Sequence, residues 1–150
     1  MLRKLARRSL DKVRQFNCLL SISKLCKKDQ LFLEIGAGNK KGRNNWITLD
    51  TCKGCDLYWD LRDGIPFPSE TVDVIYTSHT FEHIAFESLK VLIQECSRVL
   101  KSHGHLSVSV PNARLYIDAY IHGTTFRDEA SSSSTEIYWQ PAACKTDSLI

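Results

Sequence analysis

The chain has 150 residues, of which 43% are hydrophobic and 25% charged, with a formal net charge of +3, the composition of an ordinary soluble domain. A chain of this length buries a core without disulfides or metals, and no apolar run approaches the roughly 20 residues that a membrane-spanning helix needs. Six cysteines with no signal peptide favour reduced thiols in a cytoplasmic setting over a disulfide framework.

From Leu2 to about Leu25 the apolar residues Leu2, Leu5, Leu10, Val13, Phe16 and Leu20 recur at near-helical spacing. Arg3, Lys4, Arg7, Arg8, Lys12 and Arg14 stand among them against Asp11 alone, so the positive charge gathers here and the body of the chain is near neutral. The pattern predicts a basic amphipathic helix, assigned to residues 1–28 with its connection. Three uses are open to it: packing on the domain, contact with a membrane surface or nucleic acid, or service as an organellar presequence.

Five short apolar runs then read as buried strands: Leu31 to Ile35, Trp46 to Leu49, Asp56 to Trp59, Val72 to Thr77 and His105 to Val110. The first runs into Gly36-Ala37-Gly38, and the second ends at Asp50. An apolar strand leading to a glycine turn, followed by a strand that ends in an acid able to accept two ribose hydroxyls, points to a nucleotide-cofactor site. A dinucleotide-binding loop would carry a third glycine where Lys41 stands, which disfavours a nicotinamide-dependent oxidoreductase. Cys52 and Cys55 have suggestive spacing, but no second pair stands at ligand distance, and no metal is expected.

Between the last two strands, Leu89, Leu92, Ile93, Cys96, Val99 and Leu100 make one apolar face of a helix over Phe86 to Leu100. Strand, helix and strand, with Gly104 near the turn, predict a βαβ unit whose strands are parallel neighbours. After Pro111-Asn112 the pattern weakens. Ala113 to His122 reads as a helix ending at Gly123, Ser131 to Ser134 as a flexible link, and Thr135 to Gln140 as a strand or short apolar anchor. The cofactor domain is thus placed at residues 29–123 and the link with the C-terminal segment at 124–150, where the apolar end Leu149-Ile150 reads as a truncated chain or a docked terminus.

The ordered set Glu34-Ile-Gly-Ala-Gly38, Asp50, Asp60-Leu-Arg-Asp-Gly-Ile-Pro-Phe-Pro68, Val72-Asp-Val-Ile-Tyr-Thr-Ser-His79, Glu82-His-Ile84, Arg98-Val-Leu-Lys101 and Ser107-Val-Ser-Val-Pro111 resembles the class I S-adenosylmethionine-dependent methyltransferases. The likeness is to their small-molecule branch, in a shortened variant, and spans roughly Leu31 to Pro111. It implies an α/β fold with a Rossmann-like, doubly wound, mostly parallel sheet. It also implies S-adenosyl-L-methionine as cofactor. Gly36 and Gly38 would let the backbone approach the methionine part, and Glu34 would hold the turn or reach the methionine amino group. Asp50 would accept the ribose hydroxyls. Asp60 would accept from the adenine amino group, with the Leu61 amide facing the ring and Ile65 or Phe67 covering it. Thr77 and Ser78 would end the fourth strand at the cofactor. His79 or His83 would take the proton of a hydroxyl acceptor. Two plainer readings stay open: Asp60 as a turn cap, and His83 and Glu82 as local loop and helix-start residues.

The sequence departs from the family's pattern in three places. Ser102-His-Gly-His105 replaces the usual Pro-Gly-Gly. Asn39 to Asn45 and Thr51 to Cys55 are too short for crossover helices, so the first three strands cross without helices or one pair is a hairpin. Little after Asn112 can supply the family's C-terminal hairpin, which would leave His105 to Val110 as a sheet edge for another segment or subunit to cover. Nothing resembles the proline-aromatic motif of base-amino methyltransferases, so DNA is disfavoured, while the basic helix keeps RNA open as a partner. The resemblance favours a small-molecule acceptor such as a sugar or a glycan or lipid precursor. The alternatives are an RNA methyltransferase and a non-catalytic methyltransferase-like module acting through a partner.

Overall fold

A computed structural model describes residues 2–125. In chain order they form helix α1 (Leu2–Leu25), strands β1 (Phe32–Ile35), β2 (Trp46–Asp50) and β3 (Leu57–Tyr58), a 3-10 turn (Leu61–Asp63), β4 (Val72–Ser78), a second 3-10 turn (Phe81–His83), α2 (Phe86–Val99), β5 (Leu100–Ser109) and α3 (Ala113–His122). The link expected at Ser131 to Ser134, the strand or anchor at Thr135 to Gln140, and the chain end lie outside the described residues.

The strands make one sheet in the order β3-β2-β1-β4-β5, and every neighbouring pair is parallel. The hairpin considered for the first three strands does not occur. The strand order reverses between β1 and β4, so the crevice that such sheets use for ligands opens at the C-terminal ends of those strands.

The β1–β2 and β2–β3 links cross without helices because side chains take over the bracing. The Asp56 carboxylate accepts from the Gly42 amide (2.8 Å) and the Thr48 amide (3.1 Å), and Lys41 Nζ lies 3.4 Å from it. The Thr48 hydroxyl in turn accepts from the Asp56 amide at 2.9 Å. Burial alone would raise the Asp56 carboxyl, but the donors of Thr48, Gly42 and Lys41 together hold it below the usual carboxylate range.

Paired strands place Leu33, Ile35, Leu49 and Ile75 on one face, all fully buried. They share one core cluster with Leu92, Cys96 and Val99 of α2, the stripe that the helical spacing marked. On the opposite face Phe32, Trp46 and Tyr76 form a half-buried aromatic row, with ring centroids 5.5 Å and 6.1 Å apart.

Several residues of the family-like motifs brace the sheet. Lys101 Nζ lies 2.9 Å from both oxygens of Asp73, whose Oδ2 accepts from the Leu31 amide at 2.8 Å. This joins the entry of β1 to β4 and β5. Arg98 pairs with Glu95 at 2.7 Å and donates to the carbonyls of Phe67 (2.9 Å) and Ile65 (2.8 Å), fixing the loop that leads into β4.

One expectation needs correction. Gly104 is not at a turn: β5 begins at Leu100 directly after α2, and Gly104 is buried within the strand. There β5 advances from Leu100 to His105 while β4 advances only from Val72 to Val74, an irregularity that the close packing at Gly104 accommodates. Helix α1 forms over the expected residues. It packs beside β3, with Cys18 and Ile22 in the core, yet Leu10, Val13, Phe16 and Leu20 of its anticipated apolar stripe are exposed. Among the described residues β5 is a sheet edge, and α3 ends as expected at Gly123, whose φ of 66° is the left-handed cap conformation.

Candidate active site

The C-terminal ends of β1, β2 and β4 open onto a cavity of about 410 Å³, a size usual for a small-molecule site. Its floor is the glycine turn. Gly36 and Gly38 have φ of 68° and 66°, a conformation glycine adopts freely and other residues rarely. Gly36 also lacks room for a side chain: an added Cβ would lie 2.2 Å from Thr80 Oγ1. The Thr80 hydroxyl lies 3.3 Å from the Gly36 carbonyl, tying the turn to the segment after β4.

Asp50 ends β2 at the cavity wall. Its Oδ2 accepts from the Gly38 amide (2.9 Å) and its Oδ1 from the Cys52 amide (3.0 Å). A carboxylate offers about four acceptor positions, so these bonds orient the group and leave capacity for a ligand. Asp60 caps the 3-10 turn, accepting from the Arg62 amide at 3.0 Å, and also pairs with the exposed Arg62 guanidinium. That pairing holds its carboxyl below the usual range. The turn-cap role is therefore present, and Asp60 lines the cavity besides.

Trp59, Leu61, Ile84, Val91 and Leu92 supply apolar wall. Trp59 is fixed by its indole N–H, which donates to the Gly64 carbonyl at 3.1 Å. Ile65 and Phe67, the residues considered for covering a base, are instead buried in the core. At the far rim His79 takes a left-handed conformation, φ 51°, and its Nδ1 lies 3.3 Å from Glu82 Oε1. His83 also lines the cavity.

The structure thus gathers Gly36, Asp50, Asp60, Leu61, His79 and His83 around one cavity. Glu34, Gly38, Thr77 and Ser78 do not line it. Gly38 acts through its bond to Asp50. Glu34 projects to the opposite face of the sheet, where it pairs with Lys40 at 3.2 Å and lines a separate groove with Trp46 and Tyr76. Thr77 is buried, and its hydroxyl has no hydrogen-bond partner among the described residues. Ser78 lies beyond the cavity's lining. Sequence reasoning missed Thr80, Trp59 and Val91. Val91 carried a signal, an apolar residue off the buried stripe of its helix; for Thr80 there was none.

A parallel sheet with its switch point at β1 and β4, a glycine turn, and a strand-end acid beside a half-open pocket are the parts of a nucleotide-cofactor domain. Residues 35–108 match a family model described as a methyltransferase domain. No curated protein matches the chain by sequence. Similar solved structures include an S-adenosylmethionine-dependent methyltransferase from Archaeoglobus fulgidus, 20% identical, with 72% of this chain and 59% of that one covered and a TM-score of 0.47. The complex between the Trm112 methyltransferase activator of Haloferax volcanii and a methyltransferase gives 16% identity, 83% and 71% coverage and a TM-score of 0.47. An S-adenosylmethionine-dependent methyltransferase from Aquifex aeolicus gives 17%, 81% and 85%, and 0.41. The chain spans about three-fifths of the length of the first of these.

Proposed function

We propose that the cavity binds S-adenosyl-L-methionine and that the protein transfers its methyl group to a small-molecule acceptor. The observation that carries this reading is the Asp50 carboxylate, oriented at the cavity wall by the amide of the same glycine turn that leaves no room for a side chain at Gly36. Asp50 would accept the ribose hydroxyls in charge-assisted bonds. Gly36 would present its backbone to the methionine portion. Trp59 and Leu61 would lie against the base, with Asp60 accepting from its amino group once Arg62, which is exposed, swings aside.

When bound, the cofactor supplies a methyl group on a positively charged sulfur. His79 would take a proton from an acceptor hydroxyl, with Glu82, 3.3 Å from its Nδ1, orienting the ring. Holding the acceptor in line within the pocket supplies much of the remaining rate.

Titration calorimetry of the full chain with S-adenosylmethionine and S-adenosylhomocysteine tests the binding. Saturable binding that Asp50→Ala greatly weakens is expected, and a folded sample that binds neither compound overturns the reading. Incubation with labelled methyl donor in a cell extract then separates the acceptors: label in the small-molecule fraction supports the proposal. Label in RNA moves the assignment to the RNA enzyme, and cofactor binding without any transfer moves it to the non-catalytic module.

A further inference from the structure

We propose that α1 is a docking element for an anionic lipid surface, lying along the bilayer without crossing it. The inference is independent of the cofactor site and rests on which side of the helix faces the protein. The domain holds one side: Cys18 and Ile22 are 3% and 4% exposed, and Asp11 and Arg14 meet Tyr58 through a hydrogen bond of 2.9 Å and a cation–π contact. The opposite side carries Val13, Phe16 and Leu20, which are 56%, 61% and 54% exposed, with Leu10 beside them at 55%. Their spacing of three and four residues makes one continuous stripe. A helix whose better apolar stripe points away from its own core is built to bury that stripe elsewhere.

Charge selects the occupant. Between Leu2 and Leu25 stand Arg3, Lys4, Arg7, Arg8, Lys12, Arg14 and Lys24, and the single acid, Asp11, is engaged with Tyr58 and Arg14 on the domain side. Lys12 and Lys24 are exposed at the flanks of the stripe, and Lys27 and Lys28 follow it. An apolar stripe bordered by cations matches the interface of a membrane containing acidic lipid, where the apolar side chains enter the acyl boundary and the cations meet the headgroups. A second copy of the chain would bring an equally basic helix against this one, and a nucleic acid would leave the apolar stripe without a partner. No helix among the described residues is long and apolar enough to cross a membrane, so the helix would rest on the surface.

Flotation of the full chain with phosphatidylcholine vesicles, with and without phosphatidylserine, tests the proposal. Binding to the acidic vesicles that added salt weakens is expected. A triple variant Val13→Ser, Phe16→Ser, Leu20→Ser should reduce it by roughly tenfold or more, while circular dichroism and calorimetry with S-adenosylmethionine stay unchanged because these side chains lie outside the core. Replacing Lys12 and Lys24 by Glu should act in the same direction. No flotation with acidic vesicles, or a triple variant that floats like the parent, overturns the proposal. So does retention of an RNA oligonucleotide, or of a dimer that the triple variant dissociates, when vesicle binding is absent.

Discussion

The Gly38 amide donates to Asp50 Oδ2 at 2.9 Å, so the turn after β1 and the acid that ends β2 form one unit. Neither strand supplies the site alone. The turn presents backbone where a ligand must come close, and its amide sets the angle of the carboxylate.

Replacing Asp50 therefore has two effects. Asp50→Ala removes the ligand's acceptor and frees the Gly38 amide, and Asp50→Asn removes the charge. Each charge-assisted bond lost is worth about 1.5–3 kcal/mol, so calorimetry should record a fall in S-adenosylmethionine affinity of roughly tenfold to a hundredfold. An unchanged affinity would mean that the carboxylate only braces the turn.

Gly36→Ala should destabilise the fold through two separable causes, the positive φ and the contact with Thr80. Backbone strain of this kind costs about 1–3 kcal/mol. Thermal unfolding of the double variant Gly36→Ala, Thr80→Gly should recover the steric part and leave the backbone part. Full recovery would show that φ has no cost at this position.

Once an acceptor is in hand, His79→Gln should lower turnover by roughly a hundredfold or more if it acts as the base, leaving cofactor affinity unaltered. Glu82→Gln should give a smaller loss of the same kind, since Glu82 touches only the imidazole. A change confined to cofactor affinity would place His79 on the cofactor instead.

Acid should weaken the fold in a definite direction. Arg98 holds the Glu95 carboxyl below its usual range, Arg62 does so for Asp60, and hydrogen-bond donors outweigh burial at Asp56. A depressed folded-state value contributes stability that is complete above the ordinary carboxylate pKa of roughly 4 and is lost as pH falls through the lower folded value. Urea midpoints should stay flat at mildly acidic pH and decline below about pH 4. Arg98→Ala should remove the Glu95 share of that decline.

Burial pushes the Cys18 thiol up to about 11 and the Cys96 thiol up to about 12. Neither is a thiolate at neutral pH, and both sit in the core. Mass spectrometry after alkylation of the native protein should find both unmodified, with labelling on unfolding.

Much of this architecture is visible in the residue order. The apolar runs near Leu33, Leu49 and Ile75 had to be buried strands, and the spacing of Leu92, Cys96 and Val99 had to be the core face of a helix. Asp50 was legible for a similar reason: an acid directly after an apolar strand emerges at the sheet's edge. Arg98 and Lys101 were visible as motif residues, but their work in bracing the loop to β4 and the entry to β1 depends on partners about 30 residues away.

The sequence by itself determined the elements, the parallel βαβ unit and the glycine-acid pair, because local periodicity and turn chemistry act over a few residues. Only the tertiary structure decided which side each element turns inward. Alternation along β1 allows Glu34 either face, and pairing with β2 and β4 sent it away from the cavity, to Lys40. The apolar stripe of α1 was equally plain in sequence, yet the domain took the side bearing Cys18 and Ile22 and left Val13, Phe16 and Leu20 outward. Thr80 reached Gly36 across 44 residues because the ends of β1 and β4 are neighbours in the sheet. Periodicity names a helix or strand and its possible faces, and long-range packing selects among them.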